Sequence, residues 1–140
     1  MKRQTMTAAE YQRIVVKAKA AKRNKYNAVR TIVDGICFDS KDEAKRYGEL
    51  KILERAGRII DLLLQPRFIL QQKFTDNKGT KHRAIWYYAD FQYHERKSKV
   101  LIVEDVKGQW TPVFSLKMKM FLLQYPEVDF RIYKDKHHEY

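Results

Sequence analysis

The sequence contains a single cysteine, which excludes a disulfide within the chain. Cys37 lies between Ile36 and Phe38, and these apolar neighbours favour a buried structural thiol over a nucleophile. The chain also lacks an apolar run long enough to span a bilayer, and its N-terminus lacks the apolar core of a signal peptide. We therefore expect a cytoplasmic protein.

Motifs for several common chemistries are absent as well. The sequence has no G-x-x-x-x-G-K-[ST] phosphate loop, no G-x-S-x-G nucleophile turn and no cysteine–histidine spacing typical of a zinc site. His82 and His94 each lack a second histidine or cysteine at ligand spacing. For His94 we expect a partly buried or surface imidazole.

Acidic residues are few beside the basic ones. Seventeen Asp and Glu oppose 29 Lys and Arg in 140 residues, which gives a formal net charge of +12 at pH 7. Such a charge indicates an anionic polymer as partner. Nucleic acid fits better than a membrane, because no amphipathic stretch couples the basic residues to exposed bulky apolar ones. The alternative is that the charge only keeps the protein soluble.

The positive charge is concentrated at the N-terminus. Nine lysines and arginines lie in the first thirty residues, against the single acidic residue Glu10. The pattern Thr7-Ala8-Ala9-Glu10 is typical of a capping box and predicts a helix from Thr7 to Arg23. We assign residues 1–24 to a basic helical arm that follows phosphates, with a solvated surface helix as the alternative. Residues 25–140 are expected to form one folded domain.

Local signals predict the first elements of that domain. Asp34-Gly35 between apolar residues predicts a hairpin. Ser40 and Glu43 form a Ser-x-x-Glu capping box, which predicts a helix from Lys41 to Ala56 that Gly57 ends. Glu43 therefore has two interpretations: it caps its own helix, or its side chain projects toward the sheet and assists a metal site.

The remaining pattern predicts strands and one further helix. The expected strands cover Arg58–Leu64, Arg67–Phe74, Ala84–His94, Lys99–Val106 and Val128–Lys134. Pro112 suits the first turn of a helix that runs to Gln124, and the last strand-helix-strand unit predicts a parallel crossover. The predicted class is α/β, with a mixed central β-sheet flanked by helices.

Charged residues interrupt the two apolar strands at the centre of the chain. Asp90 lies in the first, and Asp105 and Lys107 lie at the end of the second. Strand alternation puts Asp105 and Lys107 on one face and Glu104 on the other. If the strands pair, Asp90 approaches Asp105. Two carboxylates that meet inside a sheet repel each other, and a bound divalent cation would relieve this repulsion.

The spacing of Asp90, Asp105 and Lys107 resembles the PD-(D/E)xK nuclease signature, with Ala89 in place of its proline. In its ordered blocks, the chain from about residue 24 to residue 134 resembles small phage-encoded proteins of endonuclease type. The blocks are Val33-Asp34-Gly35, Phe38 to Ala44, Leu64-Gln65-Pro66, Tyr88 to Phe91 and Val103 to Gly108. The resemblance implies a restriction-endonuclease-like fold, a phage or prophage origin, and work inside a bacterial cell.

The resemblance also implies roles for the central residues. Asp90 and Asp105 would hold Mg²⁺, for which Mn²⁺ substitutes, with the Val106 carbonyl as a further ligand and Glu43 as an assisting carboxylate. Lys107 would orient the attacking water or stabilise charge at the scissile phosphate. The alternative is a solvent-facing pair of Asp105 and Lys107, with Asp90 an ordinary hairpin charge.

Further residues are candidates for binding nucleic acid. They are the basic residues Lys17, Lys22, Arg23 and Lys25 of the arm and Lys78, Lys81 and Arg83 of a polar loop. Gln65 is expected to cap a turn, although it also suits a polar group near the site. Trp110 could stack on a base, but a core position is favoured.

The leading hypothesis is a magnesium-dependent DNA endonuclease that acts on duplex or branched DNA, including Holliday-junction-type substrates. A homodimer would supply two sites to cut two strands. The alternative is a catalytically inactive nucleic-acid-binding accessory protein of a phage. A third, weaker hypothesis is a protein that inhibits or assists a host nuclease.

Overall fold

The computed structural model describes residues 29–134 and the backbone of residues 137 and 138. The predicted arm lies outside these residues. The described helices are α1 (Lys41–Arg55) and α2 (Pro112–Gln124). The described strands are β1 (Thr31–Val33), β2 (Ile36–Phe38), β3 (Ile59–Leu64), β4 (Arg67–Gln71), β5 (Phe74–Thr75), β6 (Lys81–His82), β7 (Ile85–Tyr88), β8 (Phe91–Glu95), β9 (Leu101–Val106), β10 (Asp129–Lys134) and β11 (His137–His138).

The first hairpin forms where its turn residues predict it. Asp34 and Gly35 have φ angles of 52° and 75°. Both angles are positive, as a two-residue type I′ turn requires. The turn brings Val33 opposite Ile36 in the antiparallel pair of β1 and β2. The hairpin prediction is confirmed.

Each helix begins directly after a residue whose side chain caps it. The Ser40 hydroxyl accepts a hydrogen bond from the Glu43 amide at 3.1 Å, and the Thr111 hydroxyl accepts one from the Phe114 amide at 3.1 Å. Helix α1 ends before Gly57, whose φ of 69° is left-handed. Within residues 29–134, neither helix is long and apolar enough to cross a membrane.

The central sheet is mixed. Its strand order is β11-β10-β9-β8-β3, in which β8 is antiparallel to both β3 and β9, and β9 is parallel to β10. Helix α2 joins the parallel pair, as predicted for the final strand-helix-strand unit. The predicted α/β class, with a mixed central sheet and flanking helices, is confirmed.

A long side hairpin leaves the central sheet. The prediction of one strand from Ala84 to His94 is wrong, because the chain breaks at Ala89 and Asp90 into β7 and β8. Strand β7 pairs with β4 in a separate two-stranded sheet, while β8 stays in the central one. Ala89 and Asp90 have low strand propensity, but two such residues inside an aromatic and β-branched run do not predict a change of sheet, so tertiary pairing decides the boundary.

Two apolar cores lie on the two faces of the central sheet. Neighbouring residues of β9 separate them: Ile102 belongs to one and Val103 to the other. The first core contains Tyr47 and Leu50 of α1, and the second contains Phe121 of α2 with the inner face of the side hairpin. Because strand side chains alternate, successive residues of β9 face opposite sides of the sheet.

Candidate functional site

Asp90 lies between β7 and β8 and is held by main-chain groups. Its amide donates to the Glu104 carbonyl at 3.0 Å, and its carbonyl accepts from the Gln65 amide at 2.9 Å. Its carboxyl oxygen Oδ2 accepts from the Val106 amide at 2.7 Å. These bonds fix the Asp90 carboxyl against the end of β9.

Asp105, near the end of β9, meets Asp90 from the neighbouring strand. Only 2% of Asp105 is exposed, and its carboxylate accepts a hydrogen bond from the Tyr87 hydroxyl. The pKa of Asp90 is raised well above its usual range, first by burial and then by the negative charges of Asp105 and Glu43. The expectation that pairing brings Asp90 to Asp105 is confirmed.

Glu43 approaches the same place from the start of α1. Its side chain lines a small pocket together with Gln65 and Asp90, and its charge contributes to the raised pKa of Asp90. Its carboxylate also accepts a hydrogen bond from the Ser40 hydroxyl at 3.3 Å. Position and capping are therefore compatible, and the two interpretations of Glu43 do not exclude each other.

Lys107 follows β9 and turns back to the carboxylates. Its ammonium group lies 3.1 Å from Oδ1 of Asp105 and 4.2 Å from the centre of the Phe114 ring. About a quarter of the side chain is exposed, at 24%. The cation is thus held between a buried carboxylate and an aromatic face, at the surface where a ligand could reach it.

Glu104 points to the opposite face of the sheet, as strand alternation predicts. It is fully buried, and Arg46 of α1 binds it with two hydrogen bonds, of 2.5 Å and 2.9 Å. The Tyr93 hydroxyl donates a third, at 2.8 Å. The sequence reasoning missed Arg46, although a carboxylate inside an apolar strand signals that a cation must lie nearby.

Two other candidates near the site have clear positions. Gln65 precedes buried Pro66, and its φ of 50° is left-handed, which is uncommon for a residue other than glycine. The core position favoured for Trp110 is wrong, since 47% of this residue is exposed. Its ring packs edge-on against Phe114 at 5.0 Å, because the chain enters α2 at the surface.

The predicted nucleic-acid residues divide into two groups. Lys78, Lys81 and Arg83 are exposed on the tip of the side hairpin, around β5 and β6. The four arm residues Lys17, Lys22, Arg23 and Lys25 lie outside the described residues. His94 is partly exposed, and its Nδ1 lies 3.5 Å from a carboxylate oxygen of Asp61.

Among residues 29–134, no three His, Cys, Asp or Glu side chains lie together as a ready-made metal site. The closest arrangement is the pair Asp90 and Asp105 with Glu43 beside it. Mg²⁺ is commonly bound by one or two carboxylates, with water and substrate phosphate completing its shell. Two carboxylates with a third beside them are a donor set of the kind that could hold a magnesium ion.

Comparisons with known proteins identify a family. A family model described as "Protein of unknown function (DUF1064)" matches residues 23–139. The comparison with curated proteins and the comparison with solved structures found no match.

Proposed function

The chain belongs to the DUF1064 family, described as proteins of unknown function, and we propose that it is a metal-dependent DNA endonuclease. One observation carries the proposal: Asp90, Asp105 and Lys107 meet at one end of the central sheet. The resemblance to PD-(D/E)xK nucleases rests on the same residues. The net charge of +12 supports a nucleic acid as the substrate.

Asp90 and Asp105 are the residues that would hold the metal. Burial and the charge of Asp105 raise the pKa of Asp90, and a divalent cation bound by the two carboxylates would offset both the burial and the repulsion. When bound, magnesium supplies a Lewis acid for the phosphate and lowers the pKa of a coordinated water. The Val106 carbonyl is a further ligand in the resembled family.

Lys107 supplies the fixed positive charge. Its ammonium, 3.1 Å from Asp105, is placed to stabilise the charge that develops on a phosphate bound beside the carboxylates. The contact with the Phe114 ring limits its movement, so the charge is in position before the substrate arrives. Glu43, which lines the same small pocket as Asp90, would assist as a further carboxylate.

Tyr87 positions Asp105. Its buried hydroxyl donates to the Asp105 carboxylate, and its own pKa is raised by burial and by the charges of Asp105 and Asp90. The hydroxyl therefore stays protonated and remains a donor. One oxygen of Asp105 is held by Tyr87 and the other by Lys107, which orients the carboxylate.

The test compares cleavage with binding. Asp90→Asn and Asp105→Asn are expected to lower magnesium-dependent nicking of branched and linear DNA at least about 10³-fold, since metal catalysis supplies several kcal/mol. DNA affinity in EDTA should change little. Calorimetric titration with Mn²⁺ should detect binding to the natural protein and much weaker binding to either variant.

Asp61→Asn is the matched control. Asp61 is exposed, and its left-handed φ of 57° is one that asparagine tolerates. This variant should nick DNA and bind Mn²⁺ normally. If Asp90→Asn and Asp105→Asn also cleave at the natural rate, the proposed site is wrong.

The second candidate is a catalytically inactive nucleic-acid-binding accessory protein. The observation that favours it is the absence of three converging metal ligands among residues 29–134. The same experiment separates the two candidates, because an accessory protein would give salt-sensitive DNA binding and no product with magnesium.

The cellular setting and assembly complete the proposal. We place the enzyme in the cytoplasm of a bacterial host, encoded by a phage or prophage, as the resemblance implies. A homodimer with two sites would cut both strands of a duplex or branched DNA.

A further inference from the structure

A groove of about 480 Å³ runs between β7 and the outer side of α2. Its walls include Trp86 and Tyr88 from the strand, and Val113, Leu116, Lys117 and Met120 from the helix. Three of these side chains are largely in solvent: Tyr88 is 54% exposed, Val113 64% and Leu116 62%. Large apolar side chains that stay exposed together often mark a binding surface.

The groove side of α2 extends beyond its core side. The helix buries Phe114, Met118 and Phe121 against the second core, and Met120 packs against the same core. Val113 and Leu116 lie at helical spacing from Met120 but are exposed. A surface helix usually carries polar residues at such positions, so these two apolar side chains are not explained by core packing.

One end of the groove opens beside the candidate site. Tyr88 precedes Asp90 by two residues on the same stretch of chain. Val113 is the neighbour of Phe114, whose ring lies 4.2 Å from the Lys107 ammonium. Ala84, another lining residue, directly follows the exposed basic residue Arg83. The lining residues of the groove are therefore close along the chain both to the candidate site and to the basic tip of the side hairpin.

The charge of the groove selects among occupants. Lys117 is its charged lining residue, and its ammonium donates to the Trp86 carbonyl at 2.9 Å. The Arg67 guanidinium lies 4.9 Å from the centre of the Trp86 ring. Among the described residues, none that lines the groove carries a carboxylate. Aromatic and aliphatic walls beside cations suit nucleobases and phosphates, whereas a second copy of this basic chain would bring like charge.

We propose that this groove binds the unpaired bases of a single-stranded DNA segment that adjoins the cleavage point. The location of the cleavage point rests on the function proposed above. In duplex DNA the bases are stacked on each other and cannot lie against Tyr88 and Leu116. The preferred substrate is therefore DNA with a single-stranded branch, flap or gap, and uniform duplex is a poor one.

The test measures binding without cleavage. An oligonucleotide that contains 2-aminopurine is titrated with the full chain in EDTA, because the fluorescence of this base is quenched when it stacks. We expect Tyr88→Ala to weaken single-strand binding roughly 10-fold or more, the effect of losing one base–aromatic contact. Leu116→Ala should weaken it less, and affinity for uniform duplex should not change in either variant.

Leu123→Ala is the matched control. Leu123 is 83% exposed on the same helix but does not line the groove, so this variant should bind both DNA forms normally. The salt dependence of binding should be the same in all variants, because no phosphate contact is removed. Circular dichroism checks that each variant is folded.

Two results would overturn the groove proposal. One is unchanged single-strand binding in both Tyr88→Ala and Leu116→Ala. The other is a dimer in sedimentation that Leu116→Asp dissociates, which would make the groove an interface between copies. Failure of the nuclease is distinguishable from both: a chain that quenches 2-aminopurine through Tyr88 but never cleaves keeps the groove and loses the endonuclease.

Discussion

Glu104 and Asp105 are neighbours on β9, and both are buried, yet their surroundings differ. Glu104 receives two hydrogen bonds from Arg46 and one from Tyr93, so its charge is neutralised within the fold. Asp105 faces a second carboxylate, Asp90, and its own carboxylate pairs with the Lys107 ammonium. A buried carboxylate that the protein satisfies stabilises the structure, whereas a buried pair left in repulsion indicates a cation from outside.

The Arg46 side of the comparison is a complete network. Burial alone would lower the pKa of Arg46, but its hydrogen bonds and charge interaction with Glu104 outweigh burial and raise it. Glu49 adds a contact of 2.8 Å to the same guanidinium, and the Tyr133 ring lies 4.5 Å below it. The network joins α1 to β9 on the face opposite the candidate site.

The largest expected effect breaks this network. Glu104→Gln removes the buried charge that Arg46 binds with two hydrogen bonds and leaves only the partly exposed Glu49 contact, which should lower the free energy of unfolding by about 3–5 kcal/mol. Urea denaturation measures the loss. The double variant Arg46→Met with Glu104→Leu should recover most of it, because an apolar pair of similar volume leaves no buried charge. A cost below about 1 kcal/mol for Glu104→Gln would contradict the structural role.

A smaller effect is expected on the site side. Lys107→Ala should lower the rate of DNA cleavage about 10²–10³-fold, the usual loss when one positioned group that stabilises transition-state charge is removed. Single-turnover cleavage measures it, and urea denaturation measures the stability that the variant loses because buried Asp105 no longer has its cationic partner. Lys97→Ala, at an exposed lysine of the turn after β8, is the control. A natural rate in Lys107→Ala would remove this lysine from the mechanism.

The smallest effect has the opposite sign. A raised pKa means that folded Asp90 holds its proton more tightly than unfolded Asp90, so stability without metal falls as pH rises toward that pKa. Asparagine cannot ionise and can still accept the Val106 bond. Asp90→Asn should therefore gain on the order of 1 kcal/mol at pH 7.

Urea denaturation in EDTA at several pH values measures this gain. The gain should shrink as pH falls toward the ordinary pKa of aspartate, where Asp90 is protonated in both states. Asp61→Asn, at an exposed position, should show no such trend. A metal-free Asp90→Asn protein that is less stable than the natural one at pH 7 would contradict the repulsion.

Elements with local signals were predictable from the sequence. The turn residues Asp34 and Gly35, the cap Ser40 and the first-turn residue Pro112 act within a few residues, so hairpin and helix boundaries followed from them. The predicted approach of Asp90 to Asp105 also followed, because antiparallel pairing of β8 with β9 sets it.

Features that depend on distant partners were not predictable. Arg46 and Glu104 are 58 residues apart, and no local pattern assigns one to the other. The break of the strand at Ala89 arises because β4 pairs with β7 while β9 pairs with β8. Trp110 looked like a core residue by type, but only the path into α2 decides its exposure.

Ala89 lies where the chain passes from β7 of the side hairpin to β8 of the central sheet. The Ala89 amide donates to the Pro66 carbonyl at 3.1 Å, beside the bond from Gln65 to Asp90. Proline has no amide hydrogen. A proline at position 89, as in the PD-(D/E)xK signature, could therefore not donate to the Pro66 carbonyl. Alanine at position 89 thus keeps a main-chain hydrogen bond that a proline there would lose.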